Sequence, residues 1–151
     1  PITHEILRKP VATERFSFDS KGRIIKTAED SYAASDSLVA CHYAFFAASL
    51  EEYAEALTSV TGVEYTPQNL GGIGERICLT ERCYNQQNGF NAGDDILPER
   101  FFLETGSSGD GIDIPAIDRQ RFFEERRKYY RIRGLDDQGR FTNNNFLAEQ
   151  P

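Results

Sequence analysis

Residues Ser35 to Ala48 read SDSLVACHYAFFAA, an apolar run headed by Asp36 and carrying Cys41 at its centre. From Leu38 to Ala48 only His42 interrupts it, whereas elsewhere polar residues recur every few positions. A segment of this composition is expected in the core of a helical fold. Asp36 can accept backbone N–H bonds and favours the positive end of a helix dipole, so a helix start is expected there, with Cys41 a little over one turn further on. A carboxylate five residues ahead of a thiol, at the edge of such a segment, marks a candidate site.

The flanking sequence is also helical in pattern. Ser20 to Ala34 carries Ile24, Ile25, Ala28 and Tyr32 at helical spacing, with Ser20 as the cap. On the other side Ser49, Leu50, Glu51 and Glu52 spell a capping box. Leu50, Tyr53, Ala54, Leu57 and Val60 then form one apolar stripe that ends at Gly62. Thr66 followed by Pro67 starts another helix, running through Leu70, Ile73, Ile77 and Tyr84 to Asn88-Gly89. Gly71, Gly72 and Gly74 in its early turns each cost about 1 kcal/mol against alanine, which close approach of another helix would offset. A phosphate loop is not indicated, because GGIGER lacks the third glycine of GxGxxG and no strand precedes it.

Further on, DDILPERFF (Asp94 to Phe102) reads as a loop closing in a short helical turn, and ETGSSGDG (Glu104 to Gly111) as a flexible stretch. Asp113 and Pro115 are expected to start a basic helix whose buried side is Ile117, Phe122, Tyr129, Tyr130 and Ile132, stopped by Gly134. DDQG at Asp136 to Gly139 is a turn, and Thr142 caps a final short helix through Phe146 and Leu147. Pro1 and Pro10 bracket a short helical segment. Nothing alternates at period two and there is no internal repeat, so the fold is expected to be all-α.

A chain of 151 residues fits one domain, and at that size roughly 70% of the unfolded surface can be buried without help from disulfides. Cys41, Cys78 and Cys83 leave one unpaired in any scheme, which points to a reducing, cytoplasmic setting. No apolar stretch approaches the ~18 residues of a membrane span, and PITHEILRKP has no signal core. The net charge of -7 argues against nucleic acid as a partner. Between Asp118 and Arg133, however, seven bases (Arg119, Arg121, Arg126, Arg127, Lys128, Arg131, Arg133) face three acids. The simplest reading is a solvated face pairing with the acidic remainder. A docking surface for an acidic partner is the alternative.

Cys41 has three readings from the residues alone. It can be a packed small hydrophobe. As a nucleophile it has His42 beside it, but neighbours on a helix diverge by about 100°, a poor aim for a dyad. As a metal ligand it needs companions, and Cys78 and Cys83, five apart on one helix, are not a usual pair, so the others would come from outside this chain. His4 and His42 read as a surface and a packed histidine. The acid pairs Glu51-Glu52, Asp94-Asp95 and Asp136-Asp137 read as helix starts and turns rather than acid/base pairs.

DSLVAC (Asp36 to Cys41), TPQNL, IGERICLTERCYNQQNGF (Ile73 to Phe90), DDILPERF (Asp94 to Phe101) and YYRIRGLDDQGR (Tyr129 to Arg140) occur in an order and spacing that closely resemble the C-terminal region of the tungsten-containing aldehyde ferredoxin oxidoreductase family, from about Phe16 to Phe146. The resemblance implies a tungsten (or molybdenum) bis-pterin cofactor and one four-iron four-sulfur cluster. It also implies oxidation of an aldehyde to an acid with electrons passed to ferredoxin. The family motif, roughly DxxGLC, gives Asp36 a pterin contact and Cys41 the fourth cluster position. This chain departs from it at Val39, usually glycine, and Ala40, usually leucine; valine there is expected to crowd the backbone against the pterin. Cys78 and Cys83 match no ligand position and stay assigned to packing.

The resemblance further implies that the other cluster cysteines, the amino-terminal pterin-binding domain and the groups near the metal lie upstream of Pro1. The expectation is a single helical domain forming the C-terminal part of a longer enzyme, inactive alone, with the upstream part and ferredoxin as partners and homo-oligomers compatible. The alternatives are a subunit of the same family with another substrate, such as an aromatic thioester, and a cofactor-free helical interaction domain in which Cys41 is merely packed.

Overall fold

The computed structural model describes residues 14–39, 41, 43, 48–107, 109, 111 and 113–142. The expected helical segment between Pro1 and Pro10, the final helix beyond Thr142, and the assignments of His4 and His42 lie outside them. Among the described residues the architecture is all-α: α1 (Lys21–Ser37), α2 (Leu50–Thr61), α3 (Pro67–Gln87), α4 (Arg100–Leu103) and α5 (Arg119–Ile132), with one two-residue strand pair, β1 (Gly106–Ser107) and β2 (Asp113–Ile114). The described chain divides into two compact units, Arg23–Tyr84 and 14–22 with 85–142.

In the first unit α2 forms where its caps dictate. Ser49 accepts from Glu51 N, Glu52 accepts from Ser49 N at 2.7 Å, and Gly62, in the left-handed region at φ 73°, donates to Thr58 O. Its stripe buries Leu50 and Ala54 with Tyr53 and Leu57 packed beside them, but Val60, expected in the same stripe, is exposed because the packed face ends a turn earlier. α3 starts as expected: Thr66 Oγ1 accepts from Asn69 N while Asn69 Oδ1 accepts from Thr66 N, with Pro67 at the first helical position. Ala34, Leu50, Ala54 and Leu70 form the core of this unit.

Only one of the three early glycines of α3 has a packing reason. A Cβ on Gly74 would overlap the backbone carbonyl of Asp30, so α1 and α3 cross there at a distance only glycine permits, while Gly71 and Gly72 face open space. An ion cluster closes the crossing: Lys26 Nζ lies 2.7 Å from Asp30 and 2.8 Å from Glu75. The face of α1 that packs is thus Asp30, Ala34 and Ser35, all buried; Ile25 and Tyr32, expected inside, are largely exposed. Ser20 does not cap α1 in the expected way. It sits at φ 62°, and the N–H of Gly22 donates instead to Oε1 of Glu125, at 3.0 Å within the second unit.

The second unit is built on α5. Asp118, not Asp113, is its N-cap, accepting from Arg121 N at 3.0 Å; Asp113 belongs to β2, paired with Ser107. Two residues per strand are too few to show an alternating pattern in sequence. Tyr130 is 1% exposed and donates to Asp95 at 2.6 Å, Phe102 meets Phe122 edge-on, and Glu125 and Arg133 are buried while Ile132 is not. Ile132 is expected inside; instead Arg133, just past the end of α5, is buried with its guanidinium over the Tyr129 ring. Gly134 (φ 72°) ends the helix, and Asp136 Oδ1 accepts from the N–H groups of Gln138 and Arg140 in the expected turn.

Candidate cofactor-contact site

Asp36 and Cys41 stand on either side of the end of α1. Asp36 is the next-to-last residue of that helix, not the cap of a new one. Leu38 N donates to Ser35 O at 3.1 Å and Val39 N to Asp36 O at 2.9 Å, so the helix tightens through i→i−3 bonds and stops. The reason is propensity: Ser31, Ser35, Asp36 and Ser37 weaken the last turns, and Ser35 and Ser37 bond back to the Tyr32 and Ala34 carbonyls.

The expectation that this run lies in the core is overturned at Asp36, Val39, Cys41 and Tyr43, while Ser35 is buried and Leu38 and Ala48 are half-buried. Val39 is 94% exposed, Cys41 is an exposed free thiol, Tyr43 is 91% exposed and Asp36 is exposed. Among the described residues, the core of this unit is Ala34, Leu50, Ala54 and Leu70, from α1, α2 and α3. His42, Phe45 and Phe46 lie outside the described residues.

Val39 has φ 57°, a left-handed conformation that a β-branched side chain rarely takes and that costs on the order of 1–3 kcal/mol. Glycine takes it without strain. In this chain the Val39 side chain is in solvent, and its strain is in the backbone.

Tyr53 of α2 is the neighbour sequence reasoning missed. Partial burial, and then the negative charge of Asp36, raise its hydroxyl above the usual tyrosine value. No local signal could have paired residues 17 positions apart. Cys78 and Cys83 are half-buried on α3. Among the described residues no group of three or more His, Cys, Asp or Glu is placed to hold a metal ion.

The bases of α5 mostly pair within their own unit, although Arg121, Arg127, Lys128 and Arg131 are exposed. Arg119 pairs with Glu99 and lies 4.3 Å over the Phe102 ring; Lys128 pairs with Glu125, Arg131 with Asp137 and Arg121 more loosely with Asp19. Arg126 donates to the carbonyls of Ala92 and Asp95 at 2.6 and 2.7 Å. No helix among the described residues is long and apolar enough to cross a membrane.

The donor set at the end of α1 fits the groups the motif implies. An exposed carboxylate can accept N–H bonds from a pterin ring, and an exposed thiol can, as thiolate, ligate iron. Comparison with known proteins bears on the family of the chain. Residues 1–147 match the family model described as aldehyde ferredoxin oxidoreductase, domains 2 and 3. Over 141 residues, 92% of the chain, it is 30% identical to the tungsten-containing aldehyde ferredoxin oxidoreductase of Pyrococcus furiosus and 28% identical to that of Thermococcus kodakarensis. The chain spans 23% of the length of these relatives. No solved structure matches it significantly. On the match to nearly its whole length, this chain belongs to the aldehyde ferredoxin oxidoreductase family, in the part that comprises domains 2 and 3.

Proposed function

We propose that this chain is the helical part of a tungsten (or molybdenum) bis-pterin oxidoreductase that oxidises aldehydes to carboxylic acids with ferredoxin as acceptor, working in the cytoplasm with the remainder of a family-length enzyme. In it Cys41 is a ligand of a four-iron four-sulfur cluster and Asp36 a contact of a pterin. The observation that carries this reading is the exposure of both side chains on either side of the turn at Val39, in a chain that belongs to the family. When bound, such groups supply two-electron oxidation at the metal and one-electron transfer through the cluster.

What the chain itself does is simpler. Cys41 gives up its proton to offer a thiolate, a soft ligand suited to iron. Asp36, held in the last turn of α1, offers carboxylate oxygens to ring N–H donors. A partner covering Val39, Cys41 and Tyr43 would exclude water from the thiolate and so tune the potential of what it holds. The bases of α5 are mostly satisfied within their own unit, so a ferredoxin docking on them would exchange existing ion pairs for new ones.

Cys41→Ala in the longer enzyme is expected to abolish or alter the electron paramagnetic resonance spectrum of the cluster. A merely packed or exposed cysteine would leave the spectrum unchanged and cost at most ~1 kcal/mol of stability, as a small truncation does. An unchanged spectrum overturns the proposal.

A further inference from the structure

Val39 stands in the position that ends a helix when a left-handed residue follows the last turn, where glycine is the usual occupant because it has no Cβ to strain. Its N–H closes the final turn onto Asp36 O at 2.9 Å, its φ is 57°, and its side chain, 94% exposed, gains nothing from packing among the described residues. Two residues later the chain presents Cys41 to solvent. The left-handed backbone at residue 39 lies between the Asp36 carboxylate on α1 and the Cys41 thiol beyond it.

We propose that Val39 is the positioning residue of the Asp36–Cys41 pair: its left-handed backbone, not its side chain, sets where Cys41 stands relative to the end of α1. This rests on the reading of Asp36 and Cys41 given above, but its physical content concerns this chain alone. The side chain is dispensable; the dihedral is not. A residue that adopts positive φ freely should keep the thiol in place and remove strain. One that cannot adopt it should redirect the chain after Ser37 and move the thiol.

The test uses the 151-residue chain, without cofactor. Thermal unfolding of Val39→Gly, Val39→Ala and the parent should rank glycine above alanine above valine, whereas at a helical residue with negative φ glycine is the worst of the three. Glycine at the bottom of the series overturns the proposal. Alkylation of Cys41, measured against Cys78 and Cys83 as internal references, supplies a readout that a purely structural role would leave unmoved. Val39→Gly should retain the parental rate, while Val39→Pro, which fixes φ near −65° and deletes the N–H bonded to Asp36 O, should change it several-fold. A proline chain that folds and labels like the parent also overturns the proposal. Should that chain unfold, seen as rapid labelling of all three thiols, the stability ranking decides alone. Because no cofactor enters these measurements, a failure here leaves the cluster reading standing, and an unchanged spectrum in Cys41→Ala leaves the result at Val39 intact.

Discussion

In the first unit the centre is small and aliphatic, Ala34, Leu50, Ala54 and Leu70, and two helices cross at a glycine; in the second, Glu125 and Arg133 are buried beside Tyr130, and Arg126 reaches two backbone carbonyls. The first is held by close backbone approach, the second by hydrogen bonds and guanidinium–aromatic contacts such as Arg126 over Phe123 at 4.8 Å and Arg133 over Tyr129 at 5.4 Å. The difference matters because the two kinds of packing fail differently. Close packing fails when a methyl is added, and a polar framework fails when one partner is removed and the other is left buried.

The largest effect is therefore expected from Gly74→Ala. Its Cβ would fall on the Asp30 carbonyl, and relieving that overlap requires α1 and α3 to separate, a loss of about 3 kcal/mol in urea denaturation. Gly71→Ala and Gly72→Ala, on the same helix but facing open space, should instead raise stability by about 0.5–1 kcal/mol each. Equal effects at all three glycines would break the picture of a single tight crossing.

In the second unit Glu125→Ala deprives the Gly22 N–H and Lys128 of their acceptor, and the buried donor should cost about 1–3 kcal/mol. Tyr130→Phe, which removes only the hydroxyl bonded to Asp95, should cost about 1 kcal/mol. Neutral outcomes at both sites would make the second unit an apolar core like the first.

The smallest expected effect is on pH dependence, and it has opposite signs in the two units. Burial alone would lower Lys26, but its hydrogen bonds to Asp30 and Glu75, with the charges of both, outweigh that and leave its ammonium above the ordinary lysine value. Its contribution is fully present below that ordinary value and is lost as pH rises through the higher folded one. The hydrogen bond from Arg119 holds Glu99 below the usual carboxylate range, and that from Arg131 does the same for Asp137. Their contributions are present above that range and fall away in acid, weakly, since both pairs are exposed. Urea midpoints followed with pH should show an alkaline decline that Lys26→Met reduces and a shallow acid decline that Glu99→Gln and Asp137→Asn reduce. If Lys26→Met acts on the acid limb instead, the assignment of the two limbs is wrong.

Legibility in the sequence followed the range of the interaction. Ser49 and Glu52, Thr66 and Pro67, Gly62, Gly134 and the Asp136–Gly139 turn were all readable because each is satisfied by partners within a few residues. The start of α5 was misplaced to Asp113 because Asp113 and Asp118 are both good caps, and only the pairing of β2 with β1 withdraws the first. Of the candidate site, its residue types and spacing were legible in DSLVAC. The exposure of Asp36 and Cys41 was not, since an apolar composition does not say which residues of a run the fold covers.

The sequence by itself determined the helical class, most helix ends, the family and the candidates Asp36 and Cys41, because these depend on residue type and short spacing. Only the tertiary structure decided which face of α1 is buried, why Gly74 alone of three glycines must be glycine, and that Glu125 receives the N–H of Gly22 more than a hundred positions away. It also decided that the pair flanks a left-handed turn in solvent. Those outcomes depend on where distant segments meet, and no pattern within one segment carries that information.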